Sequence, residues 1–206
     1  MIQTILVNFE KLFRHSQVTR LVDDANVSVL SNTTNVTLGK FCTPTTTAST
    51  SYYIYFNNAL YNPHSGHNAS DGGILASTGF FISGDTTNEH FFDDNGEGIV
   101  RLYYVQAGSR VYVDSTAGTV NYATGEVFIE SVFITTVSDV DGVASTQVRL
   151  TVIPNSKDIV PVRNQILKLD LTNSTITGQV DTVAVGDGTS AATYTTSTSY
   201  SRPTGY

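Results

Sequence analysis

Between Phe91 and Pro154 the chain is broken at short intervals by glycine-bearing turns, each flanked by runs of β-branched and aromatic residues. That pattern reads as a series of antiparallel hairpins. Phe91-Phe92, the turn Asp93-Asp94-Asn95-Gly96-Glu97-Gly98 and the run Ile99 to Val105 form the first. Ala107-Gly108-Ser109 turns the chain into Arg110 to Val113. Gly118 to Tyr122 meets Glu126 to Ile129 across Ala123-Thr124-Gly125, where Gly125 supplies the positive φ of a short hairpin. Val148, Leu150 and Val152 alternate with Arg149, Thr151 and Ile153, and Pro154 ends that strand. Leu167, Leu169 and Leu171 alternate with Lys168, Asp170 and Thr172, which predicts one more strand with one dry and one wet face.

Abundant Thr, Ser, Asn and Tyr with sparse Lys, Glu and Met lean the same way, because the former suit a pleated, half-buried surface. Residues 2–13 are the exception. Ile2, Ile5, Leu6, Phe9, Leu12 and Phe13 share one face at helical spacing and predict a short amphipathic helix that must pack on the sheet or on another subunit. From about Val18 the period changes, and Val27, Val29, Val36, Leu38 and Phe41 fall in short alternating runs. From Phe41 through Ser70 there is no Asp, Glu, Lys or Arg. Within that stretch Ser51 to Phe56 is a strand with aromatics on both faces, so it is either sandwiched or covered by another chain. Interface cores lose charge and gain Tyr, which makes Tyr53 and Tyr55 candidate contact residues beside Ile5, Phe9 and Phe13. After about Val185, Gly, Ser, Thr, Ala and Tyr fill the chain to Tyr206, a composition that reads as flexible unless a partner orders it. The organisation expected is a helical or linker segment over 1–22, a β-rich region over 23–182 in one or two small subdomains, and a tail over 183–206.

The net charge of −7 argues against a nucleic-acid partner, which needs clustered Lys and Arg, and against an anionic membrane surface. No apolar run is long enough to span a bilayer. Met1 to Leu6 shows no basic stretch ahead of an apolar one and does not read as a signal peptide. Cys42 is the only cysteine, so no intrachain disulfide forms. A reducing cytosol is the expected place of synthesis.

Few constellations carry chemistry. His64-Ser65-Gly66-His67 with Asp71 offers two imidazoles three residues apart and a carboxylate, which are metal-ligand types. Their spacing sits in a Pro/Gly loop and lacks the i, i+4 helical arrangement of a zincin, so a turn in which His packs on Tyr or bonds to backbone is expected, and no metal. Asp93 to Glu97 resembles part of a calcium loop, but the alternating ligands are incomplete and Asn-Gly is a hairpin turn. There is no Gly-x-Ser-x-Gly elbow and no glycine-rich phosphate loop with a Lys, and no feature selects a carboxylate pair for glycoside hydrolysis. Cys42 reads as a small core residue.

Five segments share wording with a known family. They are Val18-Thr19-Arg20-Leu21-Val22-Asp23-Asp24, Tyr61-Asn62-Pro63-His64-Ser65-Gly66-His67, Ser83-Gly84-Asp85-Thr86-Thr87-Asn88-Glu89, Gly118-Thr119-Val120-Asn121-Tyr122 and the run from Ile153 through Pro154 and Pro161 to Gln165. Together they resemble the C-terminal part of a baseplate wedge subunit of large contractile-tailed phages, with residues 1–17 less alike. Members of that family are much longer. The resemblance implies a structural role: subunits that dimerise and join into a ring around the baseplate hub. It carries no catalytic residue.

The resulting expectation is a mainly β protein of antiparallel hairpins in sandwich-like packing, with a short N-terminal amphipathic helix and a flexible C-terminal tail. It is expected to be a virion component without enzymatic activity or cofactor. Its expected partners are a second copy and neighbouring wedge subunits. The alternative is a carbohydrate-binding or adhesive tail module, which lacks the usual Trp platform because the chain has no Trp.

Overall fold

The computed structural model describes residues 12–27, 29–140, 143–161, 167–171 and 173–178. Among these residues one α-helix, α1 (His15–Asp23), precedes ten strands. These are β1 (Leu38–Cys42), β2 (Thr50–Tyr55), β3 (Leu75–Ser77), β4 (Phe80–Ile82), β5 (Asp85–Asp94), β6 (Ile99–Gln106), β7 (Ser109–Asn121), β8 (Glu126–Val132), β9 (Ile134–Val137) and β10 (Val148–Val152). All pair antiparallel in one sheet, in the order β1-β10-β3-β5-β6-β7-β8-β2, with β4 joining β5 to β9 off that path. The mainly β, hairpin-built expectation holds, and its facing layers belong to a single sheet that curves until it is nearly closed.

Alternation along the strands builds the core. In β10 Val148, Leu150 and Val152 are buried while Arg149 and Thr151 lie half-buried on the other face. In β5 His90, Phe92 and Asp94 turn inward, and Phe80 from β4 meets Phe92 with ring centroids 4.8 Å apart. Val100, Val127 and Val152 complete a dry centre. Burial of this kind supplies most of the driving force of folding. The hairpins fall where the turns predict them: β5–β6 across 95–98, β6–β7 at Ala107-Gly108 and β7–β8 across 122–125, with Gly125 at φ 72°. The stretch after β2 fastens the two ends of the sheet. Phe56 and Leu60 donate to the carbonyls of Gly125 and Tyr122 at 2.8 and 2.7 Å, and Leu60 bridges Pro154 at the end of β10.

The expected short N-terminal helix is present as α1, just beyond the stretch where the helical stripe was read, while the place of Phe13 in that stripe, the strand over Leu167 to Leu171 and the runs ahead of Leu38 are corrected. Of that stripe, Ile5 and Phe9 lie outside the described residues, and Phe13 sits in an antiparallel bridge with Ile159, so its backbone is extended. α1 forms because Val18, Leu21 and Val22 share a half-buried face and because the carboxylate of Asp158 accepts from the His15 N–H at 2.9 Å. Leu167 to Leu171 form no strand. Asp170 instead accepts from the Asn173 N–H and side-chain amide at 3.2 and 2.6 Å, a local turn that competes with strand pairing. Of the alternating runs between Val27 and Phe41, only Leu38–Cys42 pairs into the sheet among the described residues. The tail expected over 183–206 lies outside the described residues.

Candidate functional site

Two neighbouring carboxylates organise one end of the sheet. Successive residues of a strand point to opposite faces, so Asp93 and Asp94 leave β5 in opposite directions, and both are buried. Asp94 turns inward. Its Oδ1 accepts from the N–H groups of Ile74 and Leu75 at 2.6 and 2.7 Å, and its Oδ2 from Gly96 N–H at 3.0 Å and the Tyr122 hydroxyl at 2.5 Å. Burial, together with the adjacent carboxylate, raises the pKa of Tyr122. Asp93 turns outward beneath two arginines. Arg101 meets it with Nε at 2.9 Å and Nη2 at 3.1 Å, Arg110 Nη1 at 2.7 Å and the Tyr112 hydroxyl at 3.0 Å. Arg101 lies over the Tyr112 ring and Arg110 over the Tyr103 ring, so the cations are held on both sides.

These bonds latch the loop from Asn62 to Gly73 onto the sheet. A Cβ on Gly72 would stand 1.6 Å from Arg110 Nη1, and one on Gly73 would stand 2.0 Å from Asp94 Oδ1. Both glycines have φ near +80° (83° and 75°), so side chains are excluded there by conformation and by space. Gly66 N–H donates to the Gly96 carbonyl at 2.9 Å and ties the middle of the loop to the β5–β6 turn. The hairpin reading of Asp93 to Glu97 therefore describes the structure. The Asn95 side chain accepts from Glu97 and Ile99, and the aspartates are consumed by Arg, Tyr and backbone donors.

Within the latched loop the structure brings His64 and His67 together. His67 Nδ1 lies 2.9 Å from His64 Nε2, the rings stand at 81°, and Tyr61 meets the His67 ring edge-on at 5.4 Å. His64 Nδ1 lies 3.1 Å from the Ser65 carbonyl. Both contacts expected of a turn, His on Tyr and His to backbone, are present. Asp71 does not join the pair and meets the Ser70 hydroxyl instead. Among the described residues no three of His, Cys, Asp and Glu are grouped to hold a metal ion. Beside the loop runs an open groove of about 470 Å³ lined by Asn62, Ser65, Glu97, Thr119, Asn121 and Tyr122. Two of its amides serve the fold, Asn62 toward the Gly96 carbonyl and Asn121 toward the Ala123 and Thr124 N–H groups.

The second surface is aromatic. β2 places Tyr52 and Ile54 toward the core, followed by buried Phe56, and Tyr53 and Tyr55 outward, 60% and 47% exposed. Tyr53 packs against Phe128, its cross-strand partner in β8, with centroids 4.5 Å apart. The two rings are tilted by 33°, and Tyr53 keeps 60% of its surface open beyond this contact. Tyr55 lies 6.4 Å along the strand and parallel to within 11°, and extends the same wall. β2 pairs only with β8 among the described residues, so the wall stands at an edge of the sheet. Cys42 packs partly buried against the core, and burial raises its thiol pKa.

The buried aspartates and their partners escaped the sequence reading because Asp-Asp before Asn-Gly has the chemistry of an exposed turn. The available signal was Arg101 and Arg110 on the following strands, with Tyr112 and Tyr122 beyond them. No family model, no curated protein and no solved structure matches the chain. Among the described residues no helix is long and apolar enough to cross a membrane.

Proposed function

We propose that the chain is a structural assembly module of a phage virion, of the baseplate wedge type that its sequence resembles, and that it joins neighbouring subunits through the aromatic wall of β2 and β8. The observation that carries this reading is the uncovered pair Tyr53 and Tyr55 on an edge strand, inside a stretch from Phe41 to Ser70 without a charged residue. β2 has no Lys or Pro to guard its edge, its one irregularity against β8 falls between Thr50 and Tyr52, ahead of the wall, and exposed tyrosines flanked by neutral Ser, Thr and Asn are the chemistry of an interface core. With a net charge of −7, two copies repel least where their contact surfaces are uncharged. The partner is a second copy or an adjacent wedge subunit. The reading assigns no catalytic role, in keeping with the saturation of Asp93 and Asp94 by internal donors. A carbohydrate-binding module would use the same two rings, but a wall that continues into Phe128 beside an unpaired strand edge favours protein contact. Solution mass across a concentration series, with and without Tyr53→Ala and Tyr55→Ala, tests the reading. Loss of association on substitution supports it, and association indifferent to both residues refutes it.

A further inference from the structure

The imidazoles of His64 and His67 stand within chelating distance of each other on the latched loop. The Ser65 carbonyl can only accept, so the His64 Nδ1 at 3.1 Å must carry the proton, and the neutral ring then presents a lone pair at Nε2. A ring N–H given to a backbone carbonyl is the outer-shell arrangement that fixes the tautomer of metal-ligating histidines. The lone pair faces His67 Nδ1 at 2.9 Å. Metal–nitrogen distances of about 2.0–2.1 Å put two neighbouring ligand nitrogens about 2.9–3.4 Å apart, depending on the angle between them. The observed separation falls in that interval, so chelation asks for ring rotation and little movement of backbone.

The backbone beneath the pair is held. Gly66, between the two residues, is bonded to Gly96, and His67 N–H returns to the His64 carbonyl at 3.1 Å. The loop is latched at its far end by Asp94. Both rings are exposed, so water can fill the remaining coordination positions.

We infer that His64 Nε2 and His67 Nδ1 form a two-imidazole site for a divalent transition ion of the zinc, nickel or copper class, which imidazole ligands suit. The metal-free pair is closed by the His67 Nδ1–H donating to His64 Nε2. On binding, His67 gives up that proton to solvent and takes one at Nε2, so both rings stay neutral and no net proton is released. With two protein ligands the ion stays exchangeable and open to further ligands. The inference is independent of the aromatic wall and stands or falls separately from it.

The test is calorimetric titration of the whole chain with Ni²⁺ at neutral pH, paired with the electron paramagnetic resonance spectrum of the Cu²⁺ form. The expected result is one ion per chain, a spectrum split by two imidazole nitrogens, and an affinity loss of about tenfold or more in His64→Ala and in His67→Ala. His15→Ala, which removes a histidine outside the loop, should bind like the wild type. His67→Gln keeps a polar side chain of similar reach, and should lose binding while melting as the wild type does. The inference is overturned if the wild type binds no ion up to about 1 mM, or if the His64 and His67 variants bind as well as it does.

Discussion

Replacing Asp94 by Asn changes one atom of a buried group and tests the latch directly. The amide must keep its oxygen where Oδ1 stands, because Ile74 and Leu75 both donate there. Its NH₂ then faces the Gly96 N–H and the Tyr122 hydroxyl. Tyr122 can turn its hydrogen away and accept, but the Gly96 N–H cannot, and a buried donor left unpaired costs about 1–3 kcal/mol. The two bonds at the remaining oxygen also fall from charge-assisted to neutral, about 1 kcal/mol each. Relief of the buried charge offsets part of this. The net expectation is a loss of about 2–4 kcal/mol, which in a chain of this size lowers Tm by roughly 5–15 °C. Urea unfolding of Asp94→Asn should show a lower midpoint at an unchanged slope. A double-mutant cycle adds specificity: Tyr122→Phe should cost at least about 1 kcal/mol less in an Asp94→Ala background than in the wild type. A loss below about 0.5 kcal/mol for Asp94→Asn, or full additivity in the cycle, would refute the reasoning.

Other consequences follow from single contacts. Gly73→Ala drives a methyl group into the Asp94 carboxylate at a positive φ and should destabilise the chain at least as much as Asp94→Asn, read by the same unfolding curve. Asp158→Ala removes the acceptor at the start of α1 and should cost about 1 kcal/mol, with faster amide exchange confined to 15–23. Bonds from Asn88, chiefly from its side chain, hold the Asp85 carboxyl below its usual pKa. Its contribution is therefore present above the unfolded-state pKa, near pH 4, and is lost as the pH falls through the folded value. Asp85→Ala should flatten the acid limb of the stability profile below about pH 4, and an unchanged limb would contradict the assignment.

The sequence was most informative where local chemistry and tertiary structure agree. Val148 to Val152 alternates, is bounded by Pro154, and is a strand with its apolar residues buried. The turns at Asn95-Gly96, Ala107-Gly108 and Ala123 to Gly125 are short-range signals, and each joins two strands. Legibility failed where the deciding partner lies far along the chain. α1 takes its first-turn acceptor from Asp158, and Leu167 to Leu171 are not in a strand, Asp170 being taken up by a local turn with Asn173. β7 runs unbroken through Asp114 to Ala117, where no alternation marks a strand, because a register shift against β6 absorbs the irregularity. At the candidate sites, Tyr53 and Tyr55 were marked by the absence of charge around them. The closeness of His64 and His67 depends on a loop held by Asp94 and Gly96, which spacing alone does not reveal.

The central claim is that the aromatic wall of β2 and β8 joins subunits. The most direct test is the light-scattering mass of the purified chain over a concentration series, beside the Tyr53→Ala, Tyr55→Ala double variant. The account predicts a species of at least twice the 22.2 kDa of one chain, and a shift toward monomer in the variant with little change in melting temperature. A wild-type chain that stays monomeric at high concentration, or an oligomer that the double variant leaves intact, would contradict it.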